Sequence, residues 1–489
     1  MVLEDLVYVG AAAALENLTV KGTGSLVINA ADMTAVTTLD ATGNSGGVTY
    51  DATASNATLK GGSGNDTLTD GAGNDVITGG AGNDTLTGGA SNDNIDGGAG
   101  DDTVVLATVT KDDTVTGGDG TDVLSLAAGT TYSATVSAGS GISGFEVIQN
   151  TTGATMTQNM SGLGTNAIDT LALGGGTGTA TIQEAAITTV NTKDMGATGG
   201  AVLGLKTDSA ADALAVNLGA AGGTRGLSLS ALDYETLNIA STGVAGNAVT
   251  MGDTEASYLA TGATEIAART AAFAARTATD LTTVNITGNK SVTFTNSAKG
   301  TALKTVNAAD FTGDLLTVTA SSSDAAMTVT ANTGSRATIT TGDGADTVTV
   351  GDGGTALLNS VTTGKGNDTI TSGAGADTIN AGAGANKVTS GAGNDTVTGG
   401  DGADVIDTGE GDDQITAAKG ADSITAGAGN DTVTTTDGND TVIGGTGNDN
   451  ITTNKGNDSI VAGDGNDTVV SGTGSDYVEG GAGNDNITV

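Results

Sequence analysis

Aspartate recurs at a fixed interval in this chain, and that spacing is the first sign of chemistry. Residues 61–69 read GGSGNDTLT and are followed without a gap by DGAGNDVIT, GGAGNDTLT, GGASNDNID and GGAGDDTVV. The same frame returns with TGKGNDTIT at 363–371 and runs uninterrupted to GGAGNDNIT at 480–488, fourteen consecutive nonamers. Isolated copies stand at 117–125, GGDGTDVLS, and at 341–349, TGDGADTVT. Each nonamer sets a carboxylate at position six against glycines at positions one, two and four. Those glycines allow backbone angles closed to other residues, so the chain can turn sharply and aim carbonyl oxygens at one point. Carbonyl and carboxylate oxygens converging in this way are the donor set of a hard cation.

The elements that must position those oxygens follow from position eight, which is Leu, Ile or Val almost throughout. In a strand of three residues it is the side chain aimed inward. Two nonamers then make one coil, with a turn on each side and a thin aliphatic core between. Stacked coils lie about 4.8 Å apart, so each residue meets its counterpart two nonamers on. A disordered glycine-rich linker is the competing reading, but a linker has no reason to keep an aliphatic at position eight. Without cations the stacked aspartates repel, so ion binding and folding are expected to be one event.

Composition points the same way. The 489 residues include 82 Gly and no Pro, with four Phe, six Tyr and no Trp, so a core filled by aromatic rings is excluded. Acidic residues number 56 against 16 basic ones, a formal charge of −40, and self-repulsion of that size opposes any compact state until cations bind. Nucleic acid is excluded as a partner, because its phosphates would be repelled. With no Cys there is neither a disulfide nor a thiolate site for zinc or iron-sulfur. With no His there is no Ser-His triad, Cys-His dyad or His-ligated zinc site. Scarce aromatics also argue against a carboxylate-only sugar hydrolase, and the chain reads as no enzyme. No apolar run is long enough to span a bilayer, and the start at Met1 lacks the order of a cleaved secretory signal. An export signal is expected at the other end or outside this sequence. The close of Asn486 to Val489 at the end of a repeat is expected of a fragment.

The nonamer resembles the RTX (repeats-in-toxin) nonapeptide, whose parallel β-roll binds calcium between successive turns on the same side. The resemblance implies a short ladder of Asp66, Asp84 and Asp102 with Asp75 and Asp93 opposite, and isolated ligands at Asp122 and Asp346. In the long array it implies Asp368, Asn386, Asp404, Asp422, Asp440, Asp458 and Asp476 on one side. On the other it implies Asp377, Asp395, Asp413, Asp431, Asp449, Asp467 and Asp485. Each ion would take carboxylates from two neighbours and carbonyls from the glycine turns. Asn386, in AGAGANKVT, breaks the pattern. About 15 to 20 Ca2+ ions would bring about +30 to +40, close to the charge that needs balancing.

Between the arrays a looser signature appears, an apolar residue and an aliphatic three positions on. It reads Leu15 to Leu18, Val36 to Leu39, Phe145 to Ile148, Ile187 to Val190, Tyr234 to Leu237, Leu281 to Val284 and Leu303 to Val306. Short Thr- and Val-rich strands follow, such as Ser291 to Phe294 and Leu316 to Thr319. The expected fold is all-β, a right-handed parallel β-solenoid in which calcium-binding rolls join a wider parallel β-helix. The divisions are an N-terminal strand region at 1–60, a first roll at 61–126, a central β-helix at 127–340 and a second roll at 341–489. A short helical insertion is expected near 255–280, where the alanine-rich stretch carries Ile266, Arg269, Phe273 and Arg276.

Calcium rolls alternating with Thr-, Ala- and Asn-rich strands resemble RTX-type bacterial surface-layer (S-layer) proteins. That resemblance implies type I secretion, an extracellular place at the cell surface and self-assembly into a calcium-dependent lattice. It also implies outer-membrane lipopolysaccharide as a partner, through an anchoring domain with no counterpart in this sequence. The alternative is a calcium-stiffened rod of an RTX adhesin or biofilm filament, built by the same physics with end-to-end contacts. At position three, Asp401, Lys419, Asp437 and Lys455 stack opposite charges on adjacent coils. Such pairs are individually worth little within a chain. The expectation is that this edge also meets another subunit.

Overall fold

Three-residue strands separated by glycine turns leave the chain no local hydrogen-bond partner, so each strand must pair with its counterpart in the next coil. The computed structural model of the chain obeys that demand. It describes residues 2–3, 15–28, 35–52, 56–106, 112–126, 141–150, 156–159, 170–174, 179–185, 189–194, 199–205, 213–218, 225–231, 236–241, 247–251, 281–296, 303–321, 323–331, 334–351 and 358–489. Among the described residues every secondary element is a strand, and adjacent strands pair in parallel, as in Thr67–Thr69 on Thr85–Gly88 and Thr369–Thr371 on Lys387–Thr389. The fold is a parallel β-solenoid. The segment 255–280, expected to hold a helical insertion, lies outside the described residues. No helix among the described residues is long and apolar enough to cross a membrane.

The chain divides into two units, residues 1–209 with 214–221, and residues 210–213 with 222–489. In the first, Leu68, Leu86, Val104, Leu124, Ile148 and Leu171 stand in register, one per coil, on one sheet. The facing sheet carries Leu18, Leu39, Leu59, Ile77, Ile95 and Val115. In the second unit, Leu237, Val284, Val306, Val329, Val348, Ile370, Val388 and Ile406 form one such file. Phe294, Val318, Ile339, Val361, Ile379, Val397 and Ile415 form another. These side chains are at most 1 % exposed, and burying each is worth about 1.5–3 kcal/mol. Nonamer coils and looser coils share these files without a break. Within each unit the looser coils therefore continue the nonamer coils with longer connections.

Those connections are measurable in the ladder spacing. Asp66 pairs with Asp84 across 18 residues, Asp93 with Asp113 across 20, Asp346 with Asp368 across 22 and Asp122 with Glu146 across 24. The coil from Asn238 to Asn285 holds 47 residues, most of them in the segment 252–280 outside the described set. Wider coils also admit rings. Tyr50, Phe145, Phe294 and Phe311 are fully buried, and all four lie outside the nonamers.

Candidate metal sites

Position six is where the solenoid takes a carboxylate into its interior. In the first unit Asp84 Oδ1 accepts the Asp66 amide at 2.7 Å, Asp102 Oδ1 accepts that of Asp84 at 2.8 Å, and Asp122 Oδ1 accepts that of Asp102 at 2.8 Å. Asp66 itself accepts from Val48 at 2.5 Å. Opposite, Asp75 accepts the Ala57 amide and Asp93 that of Asp75, at 3.0 Å for the latter. In the second unit the chain of acceptors runs through Asp346, Asp368, Asn386, Asp404, Asp422, Asp440, Asp458 and Asp476, at 2.8 to 3.0 Å. The facing chain runs through Asp377, Asp395, Asp413, Asp431, Asp449, Asp467 and Asp485, at 2.8 to 3.1 Å. Each carboxylate thus extends the sheet's own ladder by one acceptor beyond the strand.

The second oxygen is left over. Oδ2 of Asp75, Asp84, Asp102, Asp122 and Asp346 is buried without a hydrogen-bond partner, and so is Oδ2 of Asp368, Asp377, Asp395, Asp404, Asp413 and Asp422. The same holds for Asp431, Asp440, Asp449, Asp458 and Asp467. At Gly79, position one of its nonamer, an added methyl would collide with both Asp84 Oδ2 and the Gly97 carbonyl of the next coil. Gly97 stands in the same relation to Asp102 and Gly117, and Gly444 to Asp449 and Ala462. Two acceptors therefore converge on one small space with no proton between them. A buried polar group left in that state costs about 1–3 kcal/mol, and more when charged.

Burial is the largest influence on these acids. It pushes Asp84 up to about 7, with the Asp66 amide pulling back and the charges of Asp66 and Asp102 adding to the rise. Asp102, Asp346, Asp395, Asp404 and Asp431 are pushed up to about 6, again chiefly by burial. A carboxylate held ionised here needs a cation against it. The donor set, unpaired carboxylate oxygens and turn carbonyls, fits a hard oxygen-liking ion.

Asn386 shows the alternative solution. Its Oδ1 accepts the Asp368 amide at 3.0 Å, and its Nδ2 donates to the Gly399 carbonyl at 3.2 Å, so both acceptors are satisfied without an ion. Asn359 repeats the arrangement, accepting from Ala337 at 2.9 Å and donating to the Ser372 carbonyl at 3.3 Å. The asparagine that interrupts the pattern in sequence is a neutral, self-sufficient rung.

Position one differs from its expected role. The glycines there have no positive φ, whereas most of those at positions two and four do, as at Gly400 (φ 96°) and Gly402 (φ 138°). Position one faces inward, and in the second unit it often carries a hydroxyl. Ser372 donates to the Ser390 carbonyl at 3.0 Å, Thr408 to Ala426 at 2.9 Å and Thr453 to Ser471 at 2.9 Å, each filling the space that is open beside Gly79. The Ser372 hydroxyl also lies beside Asp377 and opposes the rise that burial imposes on it.

Several rungs escaped sequence reasoning. Asp113 and Glu146 extend the first-unit ladders, accepting the amides of Asp93 and Asp122 at 2.9 and 2.8 Å, and Asp122 and Asp346 are ladder members where the sequence showed isolated copies. Position five forms a second, exposed ladder. Asn430 Oδ1 accepts the Asn448 amide at 2.9 Å, and Asn448 Oδ1 that of Asn466 at 2.8 Å. The recurring Gly-Asn-Asp triplet was the signal for it.

The RTX calcium-binding nonapeptide repeat family matches in overlapping stretches that run over residues 51–131 and 354–488, a little under half of the chain. No curated protein matches the chain. The matched stretches hold most rungs of the aspartate ladders, all but Glu146 and Asp346 of those described above, and the repeat is a calcium-binding one. Over these two blocks the chain consists of RTX calcium-binding nonapeptide repeats.

Proposed function

We propose that the position-six aspartates hold calcium, that about 15 to 20 ions bind per chain, and that the loaded protein is a secreted structural subunit of a bacterial surface layer. The calcium reading rests on one observation above all: a buried, unpartnered Oδ2 facing a carbonyl oxygen of the next coil, as at Asp84, Asp102, Asp122 and Asp449. The ligands are Asp66, Asp75, Asp84, Asp93, Asp102, Asp122 and Asp346 together with the aspartates of the long array from Asp368 to Asp485. Two carboxylates per ion neutralise its charge, so a stack can extend without accumulating repulsion.

Self-assembly into a lattice is supported by the paired position-three edge. Lys419 Nζ lies 3.1 Å from Asp401, and Lys455 Nζ lies 3.0 Å from Asp437, all four side chains at least half exposed. Alternating charge on an exposed edge is self-complementary to a second copy shifted by one coil. Electron microscopy of the purified chain with calcium and after chelation tests this reading. Ordered two-dimensional arrays that dissolve on chelation are expected. Monomers in both conditions overturn it, and calcium-dependent filaments favour the adhesin rod instead.

A further inference from the structure

Asp70 stands at position one of the nonamer 70–78, where its counterparts along the solenoid are Ala52 and Gly88. It is an acid in the inward-facing slot that elsewhere holds Gly, Ala, Ser or Thr. Asp70 is only 5 % exposed, and neither carboxylate oxygen has a hydrogen-bond partner. One oxygen of Asp70 lies within 4.8 Å of one oxygen each from Asp75 and Asp93, and all three residues are buried. Asp75 Oδ2 is likewise unpartnered. Room for the third acid comes from the next coil, where Gly88 and Gly89 lack side chains; a methyl at Gly89 would lie 2.8 Å from Asp70 Oδ1.

Comparison with Ser372 makes the consequence plain. There the position-one side chain brings a proton, which it donates to the carbonyl of the next coil. At Asp70 the same slot brings two more acceptors into a space that already holds the surplus oxygen of Asp75. Nothing in the nonamer's folding logic calls for this acid, since glycine or serine serves the slot in other coils.

We propose that Asp70, Asp75 and Asp93 form a three-carboxylate site for a hard cation, distinct from the two-carboxylate sites of the other coils, and that it is the tightest site of the first unit. This rests on the calcium reading of the ladders and adds a ligand to one rung of them. Affinity in oxygen-ligand sites rises with the number of charged ligands. Three carboxylates exceed the charge of a divalent ion, so a trivalent lanthanide is retained there in preference to calcium.

The test uses the full chain, calcium-loaded, with Asp70→Ser and Asp70→Asn variants and terbium as the probe. One equivalent of terbium is added, directly excited, and challenged with increasing calcium. Wild type is expected to retain terbium to a calcium concentration at least about tenfold higher than either variant does, while calcium-induced circular dichroism is the same in all three. Equal retention in wild type and Asp70→Ser overturns the site. So does a variant that folds at lower calcium than wild type without any loss of terbium retention, since Asp70 would then be only a buried charge. A wild-type chain that takes up neither calcium nor terbium fails at the earlier step, the calcium reading of the repeats.

Discussion

The Asp66 amide donates to the Asp84 carboxylate of the next coil, 2.7 Å away, and the other oxygen of Asp84 faces the Gly97 carbonyl with no proton between. One half of the side chain is therefore structural and the other half waits for a positive charge. Amide and carboxylate versions of this rung should behave oppositely. Asp84→Asn keeps the acceptor and places an N–H against the Gly97 carbonyl, as Asn386 does against Gly399. The chelated protein should gain about 1–3 kcal/mol and bind fewer calcium ions. Denaturation under chelation, together with calcium titration by calorimetry, checks both directions at once.

The pH dependence of the chelated protein follows from the raised carboxyls. Asp84 ionises near 7, and Asp102, Asp395, Asp404 and Asp431 near 6, against an ordinary value of 3.8. A folded state that binds protons more tightly than the unfolded chain is favoured in acid. The contribution is full below about 3.8 and is lost as pH rises through about 6 to 7. Circular dichroism without calcium should show the strand signal in acid and its loss near neutrality. With calcium the signal should persist through neutrality, because the ion replaces the proton.

Much of this was legible in the chain because a nonamer is a local code. The period, the aliphatic at position eight and the aspartate at position six each report a contact repeated two nonamers later, so one coil predicts the next. Legibility failed where a contact depends on more than the period. Asp122 and Asp346 looked isolated because coils of 20 and 22 residues hide the spacing that joins them to Asp102 and Asp368. Position one read as a turning glycine because Gly61, Gly79, Gly88 and Gly97 fill it in the first array, and only the inward direction of Ser372 or Asp70 reveals a polar role. Position five was read past because its asparagines are exposed, so the recurring Gly-Asn-Asp triplet reads as a polar turn until their bonds to amides one coil away are seen.

Adjacent glycines in one turn should respond differently to the same methyl. Gly400 has a φ of 96° and an added Cβ would collide with the Gly382 carbonyl, so Gly400→Ala should cost about 1–3 kcal/mol and break the coil contact. Gly399 has no such φ, and alanine already occupies its slot at Ala381 and Ala417. Gly399→Ala should cost less in folding, while crowding Asp404 Oδ2 at 2.5 Å and weakening calcium binding at that rung. Thermal denaturation in saturating calcium separates the first effect, and calcium titration the second.

Truncating the core tests how far one coil's loss travels. Ile424 is 1 % exposed and stacks between Ile406 and Val442. Ile424→Ala should cost about 2–5 kcal/mol. In a stacked array stability is the sum of coils and their nearest-neighbour contacts, so the loss should concentrate on the neighbouring coils. Hydrogen exchange in calcium should show deprotection centred on residues 405–443, with the first unit unchanged. Uniform deprotection across the chain would show a cooperativity that nearest-neighbour stacking does not supply.

The exposed edge of the second unit separates folding from assembly. Lys365, Lys419 and Lys455 each pair with an aspartate of the preceding coil, Asp343, Asp401 and Asp437, at 2.8 to 3.1 Å. Exposed pairs of this kind add little to the chain's own stability. Their value lies in what they present to another molecule, where opposed charges set register and reject misaligned approach. Reversing Lys419 and Lys455 to Glu together leaves runs of like charge along the edge, and calcium-driven folding should be nearly unchanged by circular dichroism. Ordered assembly, followed by light scattering and electron microscopy, should be lost at low salt and partly restored as added salt screens the repulsion. A double variant that assembles as wild type does would place the subunit contact on some other face of the solenoid.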